Sequence, residues 1–235
     1  QGAWVLPELG EAPLRLRVPA ELPGQREGRA ISLELLLSKD GSATGTGRDE
    51  HDGYGAAGLK DALERMDQAQ RKQAVEAMLG RGLHGVTLDS LAADHESQVG
   101  GPAALVFALH TQLARQDGSA LSAPASVLPE RLGRRWAQKA ERAQPLLIDA
   151  SEKSSTRARI MLPPGLHLKA PPAPLTLDTP FGSYRWSARE EKGKLVLEES
   201  LSVPLQRIPP ERYKEFVAFV AAVDDAQTQE LRLAP

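Results

Sequence analysis

FGSYRWSAREEKGKLVLEESLSVPLQRIPPERYKEFVAFVAAVDDAQTQELRL, residues 181–233, is the stretch whose reading decides the fold. Tyr184, Trp186 and Ala188 alternate with polar neighbours, the period of a half-buried strand. After Glu190-Glu191-Lys192-Gly193, the set Leu195, Leu197, Leu201 and Val203 resumes the same period, so the two runs predict a β-hairpin. Pro209-Pro210 stops the strand and opens a helix, with Pro210 suited to the first helical position, where a missing N–H costs nothing. Tyr213, Phe216, Val217, Val220 and Val223 then recur at helical spacing as one apolar stripe. An isolated helix of this length is marginal in water, so the stripe must be buried, either in the core or in an interface.

The same grammar runs upstream. Ile31, Leu33, Leu35 and Leu37 share one face of a strand over 30–38, and Lys39-Asp40-Gly41 is a turn. A Gly-rich polar strand or loop follows through Gly47. Residues 56–80 read as helix broken near Asp67, a good N-cap for the second piece, with Val75, Met78 and Leu79 inward. Strands are expected over 83–89 and 103–114, the latter with Leu105, Phe107, Leu109 and Leu113 on one face. Residues 129–142 read as a basic connector helix, and 146–149 as a short strand. Thr156, Ala158, Ile160 and Leu162 alternate again, and Leu175 and Leu177 lead into the hairpin.

Many short alternating strands with Pro/Gly turns predict a mainly β, α+β fold: antiparallel β-sandwich-like modules with two or three packed helices. Residues 1–28 form an extended Pro-rich lead-in, with a short edge strand around Leu14, Leu16 and Val18, wrapping a later sheet. Residues 29–145 are a β-rich module with a helical insertion, and 146–235 an antiparallel β-sandwich module with a C-terminal helix and strand. One continuous sandwich through both is the alternative.

With 41% hydrophobic and 26% charged residues the chain is globular, and with only 4% aromatics its core falls to Leu, Val and Ala. A net charge of −2 gives no global attraction to nucleic acid or to an anionic membrane. No apolar run approaches the roughly 18 residues that cross a bilayer, and no signal peptide is evident. Cysteine is absent, which excludes disulfides, thiolate catalysis and cysteine metal sites. A chain that starts at Gln1 is expected to be a processed product or a fragment of a longer protein.

Gly53-Tyr54-Gly55-Ala56-Ala57-Gly58 fits G-x-G-x-x-G. The dinucleotide fingerprint needs a buried hydrophobic strand before it, and Arg48-Asp49-Glu50-His51-Asp52 is too acidic for that strand and for a pyrophosphate. Asp49 to Asp52, and Asp94-His95-Glu96, read as solvated acidic turns rather than cation ligands. His110 sits mid-strand on the face opposite Leu109, His84 and His167 stand isolated, and neither H-E-x-x-H nor G-x-S-x-G occurs. Arg131, Arg134, Arg135, Lys139 and Arg142 could face an anionic ligand or partner; the plainer reading is a solvated connector with Trp136 anchored in the core. No catalytic, cofactor-binding or metal-binding residue is expected, and no cofactor.

The run from Leu201 to Phe219 resembles the end of bacterial multidomain transglutaminase-like proteins, in which a papain-type Cys–His–Asp domain lies between β-rich domains. In those proteins a strand, an I-P-P-x-x-Y-x-x-F helix and a last strand close the chain; Ile208, Pro209, Pro210, Tyr213 and Phe216 match. Ile160-Met161-Leu162-Pro163-Pro164-Gly165, Phe181-Gly182-Ser183-Tyr184 and Ser38-Lys39-Asp40-Gly41 are similar to further family segments, so the resemblance spans residues 29–233. It implies catalytic residues upstream of Gln1, and none is carried over to a chain without cysteine. What it implies here is a non-catalytic structural or interaction module of an exported protein, in the periplasm or cell envelope. Its partner would be another protein or an upstream domain of the same parent, not nucleic acid, and no membrane span is implied. One alternative is a glycan- or peptide-binding β-module with Tyr184 and Trp186 as an aromatic platform, which requires both to face solvent. Another is a stand-alone hydrolase using Asp or Glu acid–base chemistry.

Overall fold

The computed structural model describes residues 28–96 and 100–235, and the backbone of two short strands before them. Those strands, β1 (Gly2–Val5) and β2 (Leu14–Arg17), pair with each other. The rest of the expected lead-in, including Val18, lies outside the described residues.

Strand β3 (Gly28–Leu37) buries Ile31, Leu33, Leu35 and Leu37 and exposes the residues between them. The chain then turns at Gly41, where φ is +85° and a Cβ would stand 2.0 Å from the Ala114 carbonyl oxygen, so only glycine fits. The Asp40 carboxylate fixes the turn by accepting from the Ser42 amide at 3.0 Å. The polar Gly-rich segment is a full strand, β4 (Ser42–Asp52). Gly47 explains why: a Cβ there would lie 2.3 Å from the Phe107 ring, so the missing side chain lets a neighbouring phenylalanine lie across the strand.

Helices α1 (Gly53–Glu64) and α2 (Gln68–Leu79) follow, broken where expected. Asp67 accepts from the Gln70 amide while Gln70 reaches back to the Asp67 amide, a capping box. Next come β5 (His84–Asp94), longer than expected, β6 (Ala103–Gln112), β7 (Arg115–Asp117) and β8 (Ala120–Pro124). The basic connector is helical only over α3 (Leu132–Trp136). Five residues cannot nucleate a helix alone, and this one exists because other elements hold it.

Then follow β9 (Leu146–Ile148), β10 (Glu152–Met161), β11 (His167–Lys169) and β12 (Leu175–Thr179). The hairpin is β13 (Gly182–Glu191) and β14 (Lys194–Val203), and it turns through Lys192 and Gly193, both at positive φ, as a tight two-residue turn requires. Strand β15 (Gln206–Ile208), a 3-10 turn over Pro210–Arg212, α4 (Tyr213–Gln227) and β16 (Glu230–Ala234) complete the chain.

One eight-stranded sheet, ordered β12-β13-β14-β10-β3-β4-β6-β5, dominates; β11-β16-β8-β7 form a second sheet and β15-β9 a third. The fold is α+β and mainly β, with sandwich-like layers. The helices and the second sheet share one hydrophobic core with the inner face of the large sheet. All neighbours in the large sheet are antiparallel except β3 and β10. A parallel neighbour needs a long crossover, and everything from β4 to β9 supplies it. Because β10 sits between β3 and β14, this sheet runs across the boundary expected near 145. Among the described residues no helix is long and apolar enough to cross a membrane.

Candidate functional site

Tyr184 and Trp186 are not a binding platform. They are 0% and 3% exposed, since their strand phase turns them to the core. Each also spends its polar atom inside: the Tyr184 hydroxyl donates to Glu199 at 3.2 Å and the Trp186 indole N–H to the Ala125 carbonyl at 2.9 Å. On α4, Tyr213, Phe216 and Val220 are buried and Val217 is half-buried. The Phe216 ring meets Phe181 edge-on at 5.7 Å and Trp136 at 6.3 Å.

The inner face of the large sheet is mostly apolar, and its polar positions gather in one corner. Residues paired laterally across strands share a face. Ile31 stands between Asp49 of β4 and Thr156 of β10, and Thr156 pairs with Glu199 of β14. One row outward, Arg29 pairs with His51 and Ser154. In this corner the strand positions in phase with the core therefore carry polar groups: Arg29, Asp49, His51, Ser154, Thr156 and Glu199.

Asp49 is fully buried. Arg29 grips it with two bonds of 2.8 Å, and His51 Nε2 lies 3.1 Å from the same carboxylate. Burial alone would push this carboxyl up, but the bonds from His51 and Arg29 outweigh it and hold Asp49 below the ordinary carboxylate range. The expected solvated turn over 49–52 is thus strand with a buried ion pair, stabilised because a guanidinium lies directly opposite. The other acidic cluster is paired as well: Asp94 with Arg48 and Glu96 with Arg71. Glu199 is enclosed by donors, accepting from Ser126 at 2.8 Å, from Tyr184 and from Gln227, and burial pushes its carboxyl up.

Over this corner lies a cleft of about 360 Å3. Its floor is Ile31, Ser154 and Thr156; Met78 and Arg81, at the end of α2, form one wall. The segment 128–135 forms the other wall and brings in Arg131, Arg134 and Arg135. With Arg29, five guanidiniums line one space. Arg29 is held by Asp49, and Arg135 by Glu152, whose carboxyl burial pushes up. Arg81, Arg131 and Arg134 make no ion pair among the described residues.

The arginine-bearing segment is hung on the last turns of α4. Asp224 accepts the amides of Leu132 and Gly133, each at 2.8 Å, and the Gln227 side-chain carbonyl accepts the Glu130 amide at 2.9 Å. Ser154 donates to the Glu130 carboxylate at 3.0 Å from below. A Cβ at Gly133 would stand 2.8 Å from Asp224 Oδ2, so a larger residue would press on the carboxylate that holds the segment. Arg131 itself adopts φ +55°, a strained conformation that persists only when its surroundings impose it.

Of the basic residues singled out in the sequence, Arg131, Arg134 and Arg135 converge on the cleft; Lys139 and Arg142 do not line it. The Arg142 guanidinium lies 5.6 Å over the Tyr213 ring, and the Lys139 carbonyl accepts the Tyr213 hydroxyl at 2.9 Å. Trp136 is partly buried, with Arg135 stacked 4.5 Å over it. Arg29, Arg81, Ser154 and Thr156 were missed, although Arg29 shares the phase of Ile31 and Leu33, an inward position where a charge demands an explanation.

Residues 125–233 match the family described as a domain of unknown function with solved structure, DUF3858. Among curated proteins no match to the chain is found. The DUF3858 segment supplies Arg131, Arg134, Arg135, Ser154, Glu199 and α4; Arg29, Asp49, Met78 and Arg81 come from the part before it. The cleft is lined from both.

Proposed function

We propose that this chain is a non-catalytic interaction module, an accessory part of a larger transglutaminase-like protein of the periplasm or cell envelope, which holds its partner by an anionic group in the arginine cleft. The observation that carries this reading is the convergence of Arg81, Arg131 and Arg134 on one cleft without carboxylate partners among the described residues. Elsewhere exposed arginines are largely neutralised, as Arg48, Arg157, Arg189 and Arg212 are. The sequence resemblance over residues 29–233 supports the parent assignment. The partner is a protein or an upstream domain of the same parent chain.

The test is a titration with polyglutamate as the acidic polypeptide, followed by tryptophan fluorescence, to which Trp136 beside Arg135 contributes together with Trp4 and Trp186. A chain of net charge −2 has no overall attraction to such a polymer, so saturable binding would report a local site. Binding should weaken as salt rises, since exposed charges are screened over roughly 10 Å at 0.1 M. The double variant R131Q/R134Q should lose at least tenfold in affinity. Equal binding by wild type and variant, or none by wild type, would overturn the reading.

A further inference from the structure

We infer that the anionic group this cleft fits is a phosphate monoester carrying an apolar body, rather than a single carboxylate. The inference rests on the anion-binding reading above and narrows it to a chemical class.

Charge is the first argument. Five guanidiniums, of Arg29, Arg81, Arg131, Arg134 and Arg135, face three carboxylates, of Asp49, Glu130 and Glu152, which leaves two positive charges in excess. A phosphate monoester carries a charge of about −1.5 to −2 at pH 7 and offsets that excess, whereas a carboxylate leaves half of it. Donor number is the second. Arg81, Arg131 and Arg134 present three planar forks without a carboxylate, Arg131 giving only one N–H away, to the Arg81 carbonyl. The Thr156 hydroxyl on the floor makes no hydrogen bond among the described residues. Three terminal phosphate oxygens can take N–H donors from three forks; a carboxylate has two oxygens and is satisfied by one. Preorganisation is the third. Asp224 and Gln227 hold the backbone of 130–133 in place before any ligand arrives, so less ordering is required on binding. Last, Ile31, Met78, Leu128 and Pro129 line the same space and offer an apolar surface for the body of the ester.

The experiment is calorimetric titration of the full chain with phenyl phosphate, phenyl sulfate and benzoate. These share the ring and differ in charge and oxygen number. Phenyl phosphate at pH 7.5 should bind at least tenfold tighter than either monoanion. Its affinity should fall on moving to pH 5, as the ester takes up a proton near pH 6. The protein's own groups at the cleft, Glu130 in its lining and Asp49, His51 and Glu152 behind Arg29 and Arg135, can only become more positive on acidification, so they cannot produce that fall. Arg134→Gln and Arg81→Gln, which remove no ion pair, should each weaken phenyl phosphate at least fivefold without shifting the melting temperature. If phenyl sulfate or benzoate binds as tightly, the phosphate class is wrong. If polyglutamate binds through the arginines and phenyl phosphate does not, the inference fails and the interaction module stands. If phenyl phosphate binds equally to the arginine variants, its site is elsewhere and the inference falls.

Discussion

Phe216→Ala tests whether α4 is held by its apolar stripe. Phe216 is 0% exposed, and its ring lies 5.7 Å from Phe181, 6.3 Å from Trp136 and 6.4 Å from Tyr213. Phe→Ala in a core costs about 3–5 kcal/mol, the spread reflecting how far the site collapses. Here it is boxed in on three sides by other rings, and α3 is fastened to α4 by Asp224, so collapse is hindered. The expected loss is about 4 kcal/mol, a large part of the 5–15 kcal/mol typical of a whole protein. Urea unfolding followed by circular dichroism and by tryptophan fluorescence measures it. With a slope of about 2.5 kcal/mol per molar, the midpoint should fall by about 1.5 M with the slope unchanged. Lys214→Ala, at an exposed position of the same helix, should stay within about 0.5 kcal/mol. A loss for Phe216→Ala below about 1.5 kcal/mol would refute the packing argument. If stability held and partner binding vanished, the stripe would be an interface instead of core.

Three further outcomes are expected. Asp49→Asn strands the Arg29 guanidinium and should cost about 3 kcal/mol at pH 7, the lower end for a broken buried pair because Arg29 is partly exposed. Since the folded protein holds this carboxyl below its ordinary value, its stabilisation is present above the unfolded pKa and is lost as pH falls through the folded one; the gap between wild type and Asp49→Asn in thermal melts should therefore close in acid. Asp224→Ala frees the amides of Leu132 and Gly133 and should cost about 1–2 kcal/mol, and it should also weaken anion binding severalfold in the calorimeter although it touches no ligand. Gly47→Ala drives a methyl into the Phe107 ring and should cost about 1–3 kcal/mol in the same urea assay, whereas Gly58→Ala, in open space on α1, should be neutral or stabilising.

Period and punctuation alone determined much of this fold. The alternation through Ile31–Leu37, Thr156–Leu162, Tyr184–Ala188 and Leu195–Val203 marked strands and their buried faces, because a residue's face in a strand depends only on its parity. Asp67 marked a helix start because its cap is satisfied within four residues. The same parity held information that an apolar reading passes over: Arg29, Asp49, Thr156 and Glu199 all occupy inward positions, and an inward charge or hydroxyl needs a partner that another strand or helix supplies. Which partner it finds is a tertiary matter. Arg29 meets Asp49 only once β3 pairs with β4, and Ser154 joins them only because β10 returns parallel to β3 after a long crossover. The arginines of 131–135 look like a solvated helix face until Asp224, over ninety residues later, takes the amides that bend the segment over the sheet. Local spacing can set the face of a side chain, because it is a property of one backbone. The cleft could be decided only by packing, because its five guanidiniums come from three stretches of chain brought together when the common core is buried.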